Sequence, residues 1–158
     1  MSVSITMDVT GLEGVLKTLR PIFDFEPTEL MTAIASLGES QTRRRISEEK
    51  TAPDGTPWEP NSQGTPILVE TGQHLLYSVA WTASASEAEW GAAWEHAHVH
   101  QNGAVIVPKN AKALVFQLGG KTIAAKSVTI PARPFVGLSP ENEQEILELV
   151  TDVLGVAQ

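Results

Sequence analysis

Two prolines three residues apart, Pro131 and Pro134, put the strongest constraint on what this chain can fold into. Val128 and Ile130 alternate with Ser127 and Thr129 as on a half-buried strand, and Pro131, which has no N–H to give a ladder, ends that strand. Pro134 pushes Arg133 towards extended or polyproline backbone, so the guanidinium stands on a stiff bridge and its five-donor fork is aimed. Phe135 and Val136 offer apolar surface beside it, Gly137 allows a turn, and Ser139-Pro140 reads as an N-cap followed by proline at the first helical position. Read locally, the segment is a junction in which Arg133 pairs with a carboxylate and Phe135 fills the core.

The rest of the chain leads into this junction. Val3, Ile5 and Met7 alternate as on a short strand, and Leu12, Val15, Leu16 and Leu19 follow the spacing of a short amphipathic helix. A longer helix is expected from Pro27 to about Lys50, with Leu30, Ala33, Ile34 and Leu37 on one face. Past Leu37 the apolar stripe gives way to Gln41, Arg44 and Arg45, so this end is expected to leave its own core, with Arg43, Arg44 and Arg45 either solvated or facing a partner. Pro53-Asp54-Gly55 sets a tight reversal, and Trp58 between prolines is either a lid on the core or an exposed anchor. Thr71–Tyr77 reads as a helical turn or two.

From Ser78 the pattern is β. Ala83–Ser86 connects a hairpin whose return strand is expected to run from Glu87 to Gln101, and Asn102-Gly103 closes it. Ala104–Val107 is a brief strand. Leu114, Phe116 and Leu118 alternate, Gly119-Gly120 is a two-residue turn, and Thr122–Ile130 returns to the junction. Ile146, Leu149, Val150, Val153 and Leu154 mark a last helix that begins at Ser139 and stops at Gly155. The expected fold is a single α+β domain over residues 1–158: mostly antiparallel sheet, a long helix in the N-terminal half and a C-terminal helix packed on it. Within it, 1–50 is a mostly helical arm, 51–77 a loop-rich connector, 78–138 the sheet and 139–155 the C-terminal helix.

Composition narrows the function. With 158 residues, 42% of them hydrophobic, the chain can bury one real core. A formal charge of −8 argues against a surface built to hold nucleic acid, since phosphate binding needs a positive face. The absence of cysteine excludes disulfides and thiolate metal sites, and no run of membrane-spanning length or signal-peptide pattern occurs. The sharpest chemical candidate is His96-x-His98-x-His100, which on a strand would set three imidazoles on one face as for a metal-binding β-sheet enzyme. The alternative is a half-exposed face that titrates near neutrality. No nucleophile elbow, phosphate loop or dinucleotide fingerprint appears. A nucleic-acid-associated factor using Arg43–Arg45 is the other competing class.

Four segments, in this order and spacing, resemble the phage virion morphogenesis family of Mu-like tail completion proteins. They are Pro53-Asp54-Gly55-Thr56-Pro57-Trp58, Leu68–Leu75, His100-Gln101-Asn102-Gly103 and Ile130–Leu138. Only His100 of the three histidines belongs to the motif; His96 stands near where relatives often carry an aromatic. The resemblance implies a small α+β virion subunit without catalysis, cofactor or bound metal, acting in tail completion or head–tail joining at the tail end or neck, and assembled in the host cytoplasm. A more distant resemblance to ring-forming tail completion and head–tail joining subunits implies a homo-oligomeric ring, with six copies the natural number. Partners would be tail tube or terminator and neck or connector proteins, without specific nucleic-acid or membrane binding. Under this reading Arg133, Pro134, Phe135, Trp58, Arg43, Arg44, Arg45, His100 and Gln101 are the candidate structural or inter-subunit contacts.

Overall fold

The computed structural model describes residues 3–8, 14, 15, 17, 26–69 and 74–155. Strand β1 (Val3–Asp8) is followed by the long helix α1 (Pro27–Arg44), a π-helical turn (Arg45–Glu49) and a short helix α2 (His74–Tyr77). Next come β2 (Val79–Ala83), β3 (Glu87–Ala92), α3 (Ala97–Asn102), β4 (Ala104–Ile106), β5 (Leu114–Leu118), β6 (Lys121–Ala125), β7 (Val128–Ile130) and α4 (Pro140–Val153). Most of the short helix expected around Leu12–Leu19 lies outside the described residues, although Gly14, Val15 and Lys17 are helical. Among the described residues no helix is long and apolar enough to cross a membrane.

The α+β class holds, with the antiparallel strands divided among three small sheets. One has the order β1-β3-β2, while β4 pairs with β7 and β5 with β6. The N-terminal strand therefore joins the sheet formed far along the chain, setting Ile5 opposite Trp90. The strand expected over Thr122–Ile130 breaks at Lys126-Ser127: β6 completes the Gly119-Gly120 hairpin and β7 turns to β4. Both turn glycines have positive φ, +57° and +76°, which a primed hairpin turn requires.

The strand expected to run from Glu87 to Gln101 stops at Ala92, which corrects the placement of the three histidines. Partner β2 begins at Val79, and the Ala93 N–H makes a last bond to the Ser78 carbonyl at 3.0 Å. Beyond that point the backbone satisfies itself locally: Ala97 N–H donates to Trp94, Val99 N–H to His96, and α3 follows. On a helix, positions 96, 98 and 100 do not share a face.

Two apolar clusters form the core. Leu30, Met31, Ile34 and Ala35 of α1 pack with Ala88 and Trp90 of β3 and Ile146 of α4. Ile46, at the far end of the same helical run, joins Trp58, Leu75, Val79, Ala92, Ala97, Phe135 and Val136 in the second. Each fully buried large side chain contributes about 1.5–3 kcal/mol relative to exposure. Helix α4 is started by Ser139, whose Oγ accepts the Asn142 N–H while Asn142 Oδ1 accepts the Ser139 N–H, both at 3.2 Å. Glu141 and Glu143 in the first turn favour the helix dipole.

At Gly38 the helix lies directly against the sheet, since a Cβ there would lie 2.2 Å from Trp90 Cε2. At an exposed helical site Gly→Ala stabilises by about 1 kcal/mol; here overpacking reverses the sign. Gly38→Ala is expected to lower the unfolding free energy by about 1–3 kcal/mol in urea titrations.

Candidate functional site

The apolar stripe of α1 does not fail at Leu37; it changes chemistry. Gly38, Gln41, Thr42 and Arg45 continue the buried face of Leu30, Ile34 and Ala35 at helical spacing, and Arg45 is only 1% exposed. The expectation that this end leaves its core is therefore wrong for Arg45. The π-helical turn widens the helix here, and Lys50 ends it in left-handed conformation, with its ammonium on the carbonyls of Ile46 and Ile67.

Arg45 grips the proline junction from inside. Its guanidinium donates to the carbonyls of Gly137 at 2.8 Å and Phe135 at 3.4 Å, and to Asn142 Oδ1 at 2.6 Å. Glu49 lies 3.7 Å from Nε. Burial lowers the proton affinity of this guanidinium, and Glu49 opposes the shift. Asn142 thus serves both the N-cap of α4 and Arg45, and its carbonyl accepts Gln41 Nε2 at 3.1 Å. Gln41 lay on the expected core face. Asn142 was missed because the capping pattern calls for Glu or Gln at that position.

Gln101, on α3, holds the junction from the other side. Its Oε1 accepts the N–H groups of Phe135 and Val136 at 3.0 and 3.1 Å, and its Nε2 donates to the Val136 carbonyl at 3.1 Å. The His100 carbonyl accepts the Arg133 N–H at 2.7 Å. Gly103 lets the two segments meet: with φ +72°, it leaves space where a Cβ would lie 2.8 Å from Ala132 N. Trp58 is the lid alternative, 5% exposed, with Nε1 donating to the Pro134 carbonyl at 3.1 Å. The Pro53–Gly55 turn returns it to the core through Ala52 N–H to Thr56 O and Trp58 N–H to Lys50 O. Arg133 meets carbonyls where a carboxylate was expected: Nε donates to Glu59 O at 2.9 Å, with a longer 3.4 Å bond to Pro60 O. Burial again lowers its proton affinity, while Glu59 raises it.

Arg43 and Arg44 are also engaged within the chain. Arg43 bonds Glu39 and the carbonyls of Leu76 and Val79 at 2.8 and 2.7 Å, tying α1 to the start of β2. Arg44 bonds Glu49 and Glu145, which raise its proton affinity against the opposing effect of burial. The sequence pattern that would present three free cations to nucleic acid is thus occupied by local acceptors.

The histidines surround Trp94. His100 stacks on its indole at 5.6 Å and His74 at 6.0 Å, while His96 meets it edge-on at 5.3 Å. His98 is exposed, with Nδ1 2.9 Å from the Glu95 carbonyl. Among the described residues no group of three His, Asp or Glu side chains is placed to hold a metal ion. A cleft of about 270 Å³ opens beside this stack, lined in part by His74, Trp94, His100 and Arg133. Burial, Arg133 and His96 all lower the proton affinity of His100.

Removing Arg45 would strand several buried acceptors, each costing about 1–3 kcal/mol. Arg45→Met is expected to lower the unfolding free energy by about 3 kcal/mol or more, measured by denaturant titration. For His100, the unfolded side chain takes up a proton near pH 6.5, about its ordinary value, and the folded one only at lower pH. Stability is therefore full above that value and lost as pH falls below it. Melting temperature should decline from about pH 7 to pH 5, and His100→Phe, which keeps an aromatic ring on Trp94, should flatten that decline.

The model of the phage virion morphogenesis family matches residues 7–155. "Mu-like prophage FluMu G protein 2" of Haemophilus influenzae is 33% identical over 90 residues, 57% of this chain and 52% of the relative. The matched stretch thus covers about half of that curated relative. No solved structure matches the chain. Three of the four motif segments close on one junction, the fourth brings Leu75 to the same cluster, and the family model covers nearly the whole sequence: the chain belongs to the phage virion morphogenesis family.

Proposed function

We propose that this chain is a non-enzymatic structural subunit of a tailed-phage virion, acting in tail completion or in joining head to tail. The observation that carries the reading is how the motif residues and the buried Arg45 are used. Gln101, Trp58 and Arg133 of the motifs, together with Arg45, all bond backbone atoms and hold one junction. Such a use serves a building block. The family match and the likeness to a Mu-like prophage protein support virion assembly as its setting.

In this reading the protein works as a homo-oligomeric ring, six copies being the natural closed form, at the tail end or neck of the particle. Tail tube or terminator proteins contact one side and neck or connector proteins the other. The net charge of −8 suits a ring through which DNA passes without being held, because phosphate binding scales with cationic contacts. Assembly takes place in the host cytoplasm.

The test is removal of the gene from its phage, with complementation in trans. Infectious yield is expected to fall at least about a hundredfold, with unjoined heads and incomplete tails in negative-stain images; wild-type protein should restore joined particles, and Arg45→Met should not, since the junction fails about 3 kcal/mol or more below wild type. Normal particle yield without the gene would overturn the proposal.

A further inference from the structure

Charge is divided along this chain far more sharply than its total suggests. Residues 103–139 contain Lys109, Lys112, Lys121, Lys126 and Arg133 and no Asp or Glu. Helix α4 contains Glu141, Glu143, Glu145, Glu148 and Asp152 and no Lys or Arg. The four lysines are all exposed, as are Glu141, Glu143, Glu148 and Asp152.

Exposed apolar surface follows the same division. Of the eight large apolar side chains that are exposed among the described residues, Val105, Ile106, Val107 and Val115 lie in the lysine-bearing stretch from β4 to β7, and Leu147 lies on α4. Between the β4–β7 and β5–β6 ribbons runs an apolar groove of about 280 Å³ lined by Ile106, Leu114, Val115, Phe116 and Val128. A two-stranded ribbon is marginal in water unless its apolar side is covered. On α4, Leu147 is 60% exposed, with Glu143 one turn before it on the same face and Glu148 next to it in the chain.

We infer that the groove between the two ribbons receives the outer face of α4 from a second copy of this chain. Leu147 enters the groove, and the acidic rim around it meets the lysines at its border. Opposite charge on two different faces of one molecule selects a head-to-tail contact, because either face placed against its own copy sets like charges together. A heterologous contact of this kind closes into a ring when its rotation permits. The inference rests on the homo-oligomer reading above and names the surfaces that would build it.

Cysteine pairing tests it, because the chain has no cysteine of its own. Val115→Cys and Leu147→Cys proteins, mixed and oxidised, are expected to form a disulfide-linked dimer, while neither does so alone at the same concentration. A link formed by Val115→Cys alone would overturn the head-to-tail arrangement. Charge reversal gives an independent arm: Lys112→Glu/Lys126→Glu and Glu143→Lys/Glu148→Lys should each reduce self-association at least tenfold by sedimentation, with melting curves confirming that they fold. Mixed one to one, they should form a complex that neither forms alone. A wild-type chain that stays monomeric, or a mixture that does not associate, overturns the inference. So do lysine variants that lose binding to a double-stranded DNA probe while self-associating as wild type, which would assign the groove to nucleic acid. If gene removal still blocks particle formation while these cysteines fail to link, the contact is wrong and the virion role stands.

Discussion

The bonds from the buried Arg45 guanidinium to the carbonyls of Phe135 and Gly137 are the constraint on which the rest of this structure depends. A cation that is 1% exposed is tolerated only if most of its donors find acceptors. The proline junction supplies them. Prolines stiffen the segment and take donors out of it, so its carbonyls point outward in a fixed array and little conformational entropy is left to lose. Asn142 adds the third acceptor and in the same act starts α4.

This arrangement explains how the core is divided. Along one helical run the chain passes from Leu30, Ile34 and Ala35 in the first apolar cluster, through Gln41, Thr42 and Arg45, to Ile46 in the second. The polar belt between them leaves Arg45 Nε and Gln41 Oε1 without a hydrogen bond among the described residues, so geometry here has little slack. Segments around residues 58, 101 and 133 meet at the proline junction that Arg45 grips, although they are far apart in sequence, and each contributes backbone-directed bonds. Their appearance together in one sequence has a direct physical reason: each is an acceptor or a donor for another.

Such a centre makes a rigid body with soft additions. The three-stranded sheet, α1 and α4 share the packed clusters, whereas the stretch from β4 to β7, strands and connections together, carries exposed valines and all the lysines that follow α3. In the proposed assembly role this division is useful, because the packed part fixes the angle at which the ribbons are presented. The histidines around Trp94 belong to the rigid part. Their aromatic stacking orders the turn between β3 and α3, and His100 lends its backbone carbonyl to Arg133.

Much of the local structure was legible from the residues. Alternation located β1, β2 and the Gly119-Gly120 hairpin, Ser139-Pro140 marked the start of α4, and the proline pair marked the junction, because each depends on steric and hydrogen-bonding rules acting within a few residues. The failures came where a distant partner decides. Glu87–Gln101 alternates well enough for a long strand, yet β2 offers no partner beyond Val79, so His98 and His100 end up in a helix with His96 at its N-cap. Arg45 reads as a surface cation until the carbonyls of residues 135 and 137, some ninety positions away, take up its donors. Pattern specifies which backbone a segment prefers; whether a charged side chain is buried, and what it holds, depends on acceptors that only the folded chain brings within reach.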